Sequence, residues 1–301
     1  MLHLHQTFKS TFGCFFYACN FDFNEHCQHM KRLHLIIVTA LLAGCSSIPS
    51  IESRWDSAEL LLNQHGWQQR LISTSTFDLM SAFPSSVTAD SSLTVYIEGD
   101  GLAWITSRQP STNPTPVNSV GLKLSINHGA GNAAYLARPC QYVVDDKCNV
   151  QYWTSNRFAP EVIEASSRAI DKLKEQFSAQ QLVLVGYSGG GAVAAILAAQ
   201  RDDVDKLVTV AGNLNHQAWT MFHRISQLNG SLNPDDYQTS LAKIEQVHFV
   251  GENDTVIPPF LVSDFVARLP ESSSAEVIVV PGQSHGCCWE SIWATLLESM
   301  N

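Results

Sequence analysis

Leu182-Val183-Leu184-Val185-Gly186-Tyr187-Ser188-Gly189-Gly190-Gly191-Ala192-Val193-Ala194-Ala195 is the stretch that decides the fold. Its first four residues make a short, wholly apolar strand of the kind buried on both faces. An Ala-rich helix follows over 190–200. A strand that turns sharply into a helix crowds the residues at the turn. Glycine at 186 and 190 relieves the crowding, and the turn lifts the Ser188 hydroxyl above the sheet. The small residues of 191–195 suit a helix packed closely on that sheet.

Outward from this point, apolar β-rich runs alternate with helical patterns. Strands are predicted at 93–97, 133–137, 207–210, 247–250 and 275–280. Helices are predicted at about 58–63, at 161–177 (where Val162, Ile163, Ala165, Ile170, Leu173 and Phe177 fall on one face), at 260–269 and at 289–298. Pro160 stands where the first turn of a helix tolerates proline. Strands separated by helices of this length predict an α/β fold with a doubly wound, mostly parallel sheet. Residues 212–245 hold Trp- and Phe-containing helical pieces without a strand, and read as a small helical cap.

A serine hydroxyl is a poor nucleophile unless a neighbouring base takes its proton. The strand at 247–250 runs into Gly251-Glu252-Asn253-Asp254-Thr255-Val256-Ile257-Pro258. The strand at 275–280 runs into Pro281-Gly282-Gln283-Ser284-His285-Gly286. Ser188, Asp254 and His285, each just past a strand and in that chain order, resemble the catalytic triad of the α/β-hydrolase superfamily. The resemblance covers about residues 90–301. It implies an α/β-hydrolase fold with a helical cap, and a hydrolase that cleaves a carboxylic ester or thioester of a small or medium acyl substrate through an acyl-enzyme. Ser188 would attack, His285 would carry the proton, and Asp254 would orient the imidazole, with Glu252 the next candidate acid. An acyltransferase, a peptidase and a non-catalytic binding lipoprotein remain rival readings on the same fold.

The oxyanion of such a reaction needs backbone N–H donors. Gly189 is one candidate. Asp100 or Gly101 would supply the second, from a loop reading Glu98-Gly99-Asp100-Gly101 where the superfamily often has His-Gly-Gly-Gly. Trp104, Trp219 and Phe222 are candidates for an acyl pocket or, equally, for ordinary core. No role is assigned to His128, His216 or His223. No cofactor and no metal are expected, because no Cys/His spacing matches a zinc pattern.

Met30-Lys31-Arg32 precedes the apolar run at 33–42 and Leu42-Ala43-Gly44-Cys45. A basic n-region, an apolar h-region and a small-residue box, in that order, resemble a bacterial lipoprotein signal peptide. The run is too short to cross a bilayer comfortably. The resemblance implies a signal over 30–44, lipidation at Cys45, and an outer-membrane anchor facing the periplasm, since Ser46 and not Asp follows. Residues 1–29 read as an over-called start, 45–69 as a tether with a first helix, and 70–301 as the hydrolase domain. In that oxidising compartment Cys140, Cys148, Cys287 and Cys288 would form two disulfides. Cys140–Cys148 is favoured. A vicinal Cys287–Cys288 bridge, crossed pairs and free adjacent thiols stay open. The formal net charge of −10 argues against nucleic-acid binding.

Overall fold

The computed structural model describes residues 48–87, 91–143 and 145–300. The expected signal over 30–44 and Cys45 lie outside the described residues. In chain order the elements are α1 (Ile51–Gln64), β1 (Trp67–Ser73), β2 (Asp78–Pro84), β3 (Ser92–Ile97), β4 (Trp104–Thr106) and β5 (Gln109–Pro110). Next come α2 (Val120–Ile126), β6 (Ala133–Leu136), α3 (Pro160–Phe177), β7 (Gln181–Tyr187), α4 (Gly189–Gln200) and β8 (Val204–Val210). The last are α5 (His216–His223), α6 (Gln238–Leu241), β9 (Glu245–Gly251), α7 (Pro259–Ala267), β10 (Ala275–Val280) and α8 (Trp289–Glu298).

Eight strands form one sheet in the order β1-β2-β6-β3-β7-β8-β9-β10. From β6 to β10 every neighbouring pair is parallel, while β1 and β2 close one edge antiparallel. Successive side chains of a strand face opposite sides, and β3 follows that rule. Leu93, Val95 and Ile97 join a core layer with α3, α4 and α7. Tyr96 joins the opposite layer with α1, α2 and α8, where Trp289 and Trp293 are fully buried. Both faces are covered, as the apolar run of β7 requires. Among the described residues no helix is long and apolar enough to cross a membrane.

The structure lengthens the expected first helix and adds further elements. α1 begins at Ile51, capped by the Ser50 hydroxyl on the Ser53 N–H, and buries Ala58 and Leu62. β1 begins at Trp67, ahead of the expected domain start at 70. The β1–β2 pair and α2 were not anticipated. α2 reads Val-Gly-Leu-Lys-Leu-Ser-Ile, an alternation that suits a strand. It is a helix because buried Glu98, distant in sequence, accepts from the N–H groups of Gly121 (3.1 Å) and Leu122 (3.3 Å) at its start. A methyl at Gly121 would press on that carboxylate.

One core histidine makes the fold sensitive to acid. His248 of β9 is fully buried, with Nδ1 2.9 Å from the Thr209 hydroxyl of β8. Burial holds its pKa down at about 3, against an ordinary value of 6.5. Between those values the unfolded chain takes up a proton that the folded chain refuses, so stability falls as pH drops from about 6.5 toward about 3 and is level above that window. A series of Tm measurements from pH 7 to pH 4 checks this. His248→Gln should lose less of its Tm over the window than the parent does.

Candidate active site

Ser188 sits at the β7–α4 turn with φ 52° and ψ −120°, a left-handed conformation that costs an L-residue energy and is sustained only by its surroundings. Those surroundings are backbone. A methyl at Gly186 would strike Gly190 and Gly191, and one at Gly190 would strike the carbonyls of Ile97 and Glu98. The Ser188 carbonyl accepts from the N–H groups of Gly191 (2.9 Å) and Asn213 (3.0 Å). The turn is therefore pinned between the ends of β3, β7 and β8.

Three sequence candidates converge here. Ser188 Oγ lies 2.9 Å from His285 Nε2. His285 Nδ1 lies 2.8 Å from Asp254 Oδ2. Asp254 follows β9 and its carboxylate is fully buried, while Oδ1 accepts from the N–H groups of Val256 and Ile257, both at 2.8 Å. His285 follows β10. Its carbonyl accepts from the Tyr187 hydroxyl at 2.9 Å and the Trp289 indole at 3.1 Å. Burial pushes the Tyr187 phenol well above its ordinary pKa, so it remains a donor. Glu252 is exposed and bonds instead to the Gly282 N–H at 3.0 Å. Asp254 is the acid that reaches the imidazole.

The loop after β3 is held from below. Glu98 is fully buried and accepts from Gly99 N–H, Gly121 N–H, Leu122 N–H and the Tyr135 hydroxyl. Burial pushes its carboxyl above the usual range, and the four donors pull it back. Because Gly99 N–H is spent on Glu98, the oxyanion candidates of this loop reduce to Asp100 and Gly101, both of which line the cavity beside Ser188. Gly189 opens α4, so its N–H has no carbonyl one turn back to bond.

What surrounds Asp100 comes from residues far from it in sequence. Its carboxylate contacts Arg157 Nη1 at 2.5 Å and Arg138 Nη1 at 3.4 Å. Arg138 also donates to the Arg157 carbonyl. Burial lowers the Arg138 guanidinium to about 10, with Asp100 opposing the shift. The carboxylate fills the space where a methyl on Gly189 would fall, so Gly189 has to be glycine for this packing. A bare carboxylate here would repel an oxyanion, and the two guanidiniums cancel that field. Asp100→Ala should destabilise the fold by about 3–5 kcal/mol, the usual cost of leaving buried charge unpaired. Urea denaturation would read the loss, and a change below 1 kcal/mol would mean that solvent already screens the cluster.

A cavity of about 1050 Å³ opens over Ser188 and His285. Trp104 and Trp219 line it, as does Arg157, which lies 5.8 Å from the Trp219 ring. Phe222 does not. It lies outward at 48% exposure, packed on Phe260 at 5.3 Å between ring centroids, because α5 turns that face away from the cavity. His223 bonds the Val256 carbonyl at 2.8 Å, His128 the Tyr96 hydroxyl at 2.7 Å, and His216 is buried beside Phe158. The four cysteines among the described residues pair as Cys140–Cys148 and Cys287–Cys288, the second just beyond His285.

A family model for the alpha/beta hydrolase fold matches residues 154–249, the segment that carries the Ser188 turn. No curated protein matches the chain. Among solved structures, an alpha-beta serine hydrolase homologue from Coxiella burnetii aligns at 16% identity and TM-score 0.51, covering 77% of this chain and 95% of its own. Est1E from Butyrivibrio proteoclasticus aligns at 11% identity and TM-score 0.55, over 77% and 96%. The esterase Pf2001 of Pyrococcus furiosus aligns at 12% identity and TM-score 0.55, over 79% and 90%. At such identities the likeness is one of fold. With the sheet order and the family match through β7 and α4, it gives this chain the α/β-hydrolase fold.

Proposed function

We propose that the chain is a serine hydrolase cleaving a carboxylic ester or thioester through an acyl-enzyme. The observation that carries this reading is the continuous run of hydrogen bonds from the Ser188 hydroxyl through the His285 ring to the buried Asp254 carboxylate. Ser188 Oγ attacks the acyl carbon while His285 Nε2 takes its proton. The alcohol or thiol leaves with that proton, and the acyl group stays on Ser188. A water molecule, deprotonated by the same nitrogen, then attacks the acyl-enzyme, and the acid departs as Ser188 recovers its hydrogen. The Gly189 N–H and that of Asp100 or Gly101 receive the oxyanion. The cavity's Trp104 and Trp219 offer apolar walls to the acyl group.

The same proposal sets the enzyme in a bacterial envelope, acylated at Cys45. Support comes from the ordered basic, apolar and Leu-Ala-Gly-Cys segments. A fluorophosphonate probe tests the hydrolase reading. The folded protein should be labelled at Ser188 and, in the same assay, a panel of p-nitrophenyl esters should be turned over. Folded protein that takes no label would leave a binding module.

A further inference from the structure

We propose that the mouth of the Ser188 cavity docks on a phospholipid surface, held there by an exposed apolar rim and by the short tether to Cys45. The inference rests on the ester-hydrolase and lipid-anchor readings above.

The first observation is where the tether meets the fold. Arg54, in the first turn of α1, is buried, and its guanidinium donates to the carbonyls of Asn113 (3.4 Å) and Thr115. The neighbouring Trp55 indole donates to the Thr115 hydroxyl at 3.2 Å. The loop so gripped continues into Pro116, Val117 and Asn118, which line the cavity. The start of α1 is therefore fastened to the cavity's own wall. Six residues run from Cys45 to Ser50. Fully extended they reach about 20 Å, so a lipid on Cys45 would hold the membrane within that reach of the helix start that grips the cavity-wall loop.

The second observation is the rim. Trp104 (42%), Val117 (50%), Ile225 (48%) and Val256 (39%) are exposed and also line the cavity. The rim continues outward from Val256. Its carbonyl takes the Trp219 indole and His223 of α5, and the next side chain on that helix, Phe222, packs on exposed Phe260. Large apolar side chains gathered around one opening mark an interaction surface, whereas the same residues scattered singly would not. Arg224, in the cavity lining, and Arg108, at the β4–β5 turn near Trp104, add cations to the rim of an otherwise acidic chain. Apolar contact with flanking cations suits a lipid headgroup boundary. An ester borne by a membrane lipid would then reach Ser188 without crossing water.

The full-length protein, isolated from bacterial membranes, is reconstituted into phosphatidylcholine vesicles whose acyl chains are brominated. Flotation reports attachment, and tryptophan quenching by bromine reports depth. Wild-type protein should float and be quenched, and Trp104→Phe should remove about half of the quenching or more. The Phe222→Ser/Phe260→Ser double variant alters only side chains outside the cavity. It should float and turn over a soluble short-chain ester as the parent does, with quenching reduced about twofold or more. Flotation without quenching overturns the docking face, whether the mouth faces water or is hidden in a dimer seen by sedimentation. Flotation of Cys45→Ser unchanged from the parent, with cleavage of the leader verified by mass, removes the anchor and leaves quenching to judge the rim by itself. Absent turnover of every soluble ester by the wild type strikes the hydrolase reading alone.

Discussion

Ser188→Ala should remove turnover of a p-nitrophenyl ester by on the order of a millionfold, the loss seen when a triad nucleophile is deleted. The physical reason is that no other group is placed to attack. The oxygen 2.9 Å from His285 Nε2 is the Ser188 hydroxyl, and removing it leaves the imidazole with only bound water to activate. The backbone cost of the turn stays, because alanine meets the same left-handed φ of 52° and the same glycine contacts. Folding should therefore be nearly unchanged, with Tm shifted by no more than about 2 °C. Turnover measured alongside Tm separates loss of chemistry from loss of structure. A variant that keeps a tenth of the parent rate would move the nucleophile elsewhere.

Asp254→Asn should lower kcat by on the order of ten-thousandfold with little change in stability. Oδ1 of Asp254 already accepts two backbone N–H groups, from Val256 and Ile257. An asparagine keeps those bonds only by placing its carbonyl there, which turns its NH2 toward His285 Nδ1. That nitrogen must then accept, so the ring proton moves to Nε2, the position that has to take the serine proton. The imidazole is locked in the wrong tautomer. Kinetics and denaturation on the same preparation decide the matter. A variant with parent kcat would show that the imidazole does not depend on this carboxylate.

The central strand, the turn at Ser188 and the order of serine, acid and histidine were legible because each is written in contiguous residues. Gly186 and Gly190 stand beside the serine they serve, and Asp254 and His285 each follow an apolar run of recognisable length. What stayed hidden depends on partners far apart in sequence. α2 alternates like a strand and is helical only because Glu98 caps it across the fold. Nothing local says that Arg138 and Arg157 converge on Asp100, or that this carboxylate occupies the room beside Gly189. The β1–β2 pair was legible in principle, since 77–83 is a largely apolar run ended by Pro84. Its partner strand over 67–73 is largely polar and exposed, and carries little strand signal of its own. Phe222 was a matter of facing: spacing places it on α5 without saying which way that helix is turned.

Asn213, Trp219 and the stretch 224–228 form one wall of the cavity, yet Ser188, Asp254 and His285 all come from other loops. On the proposed function, substrate choice and proton transfer would be carried by separable pieces of chain. Exchange of the span between β8 and β9 for one of another length could change which acyl groups enter while the same relay continues to work. Lineages with this arrangement can diversify their diets by rewriting a single connection, and leave the reacting atoms as they were.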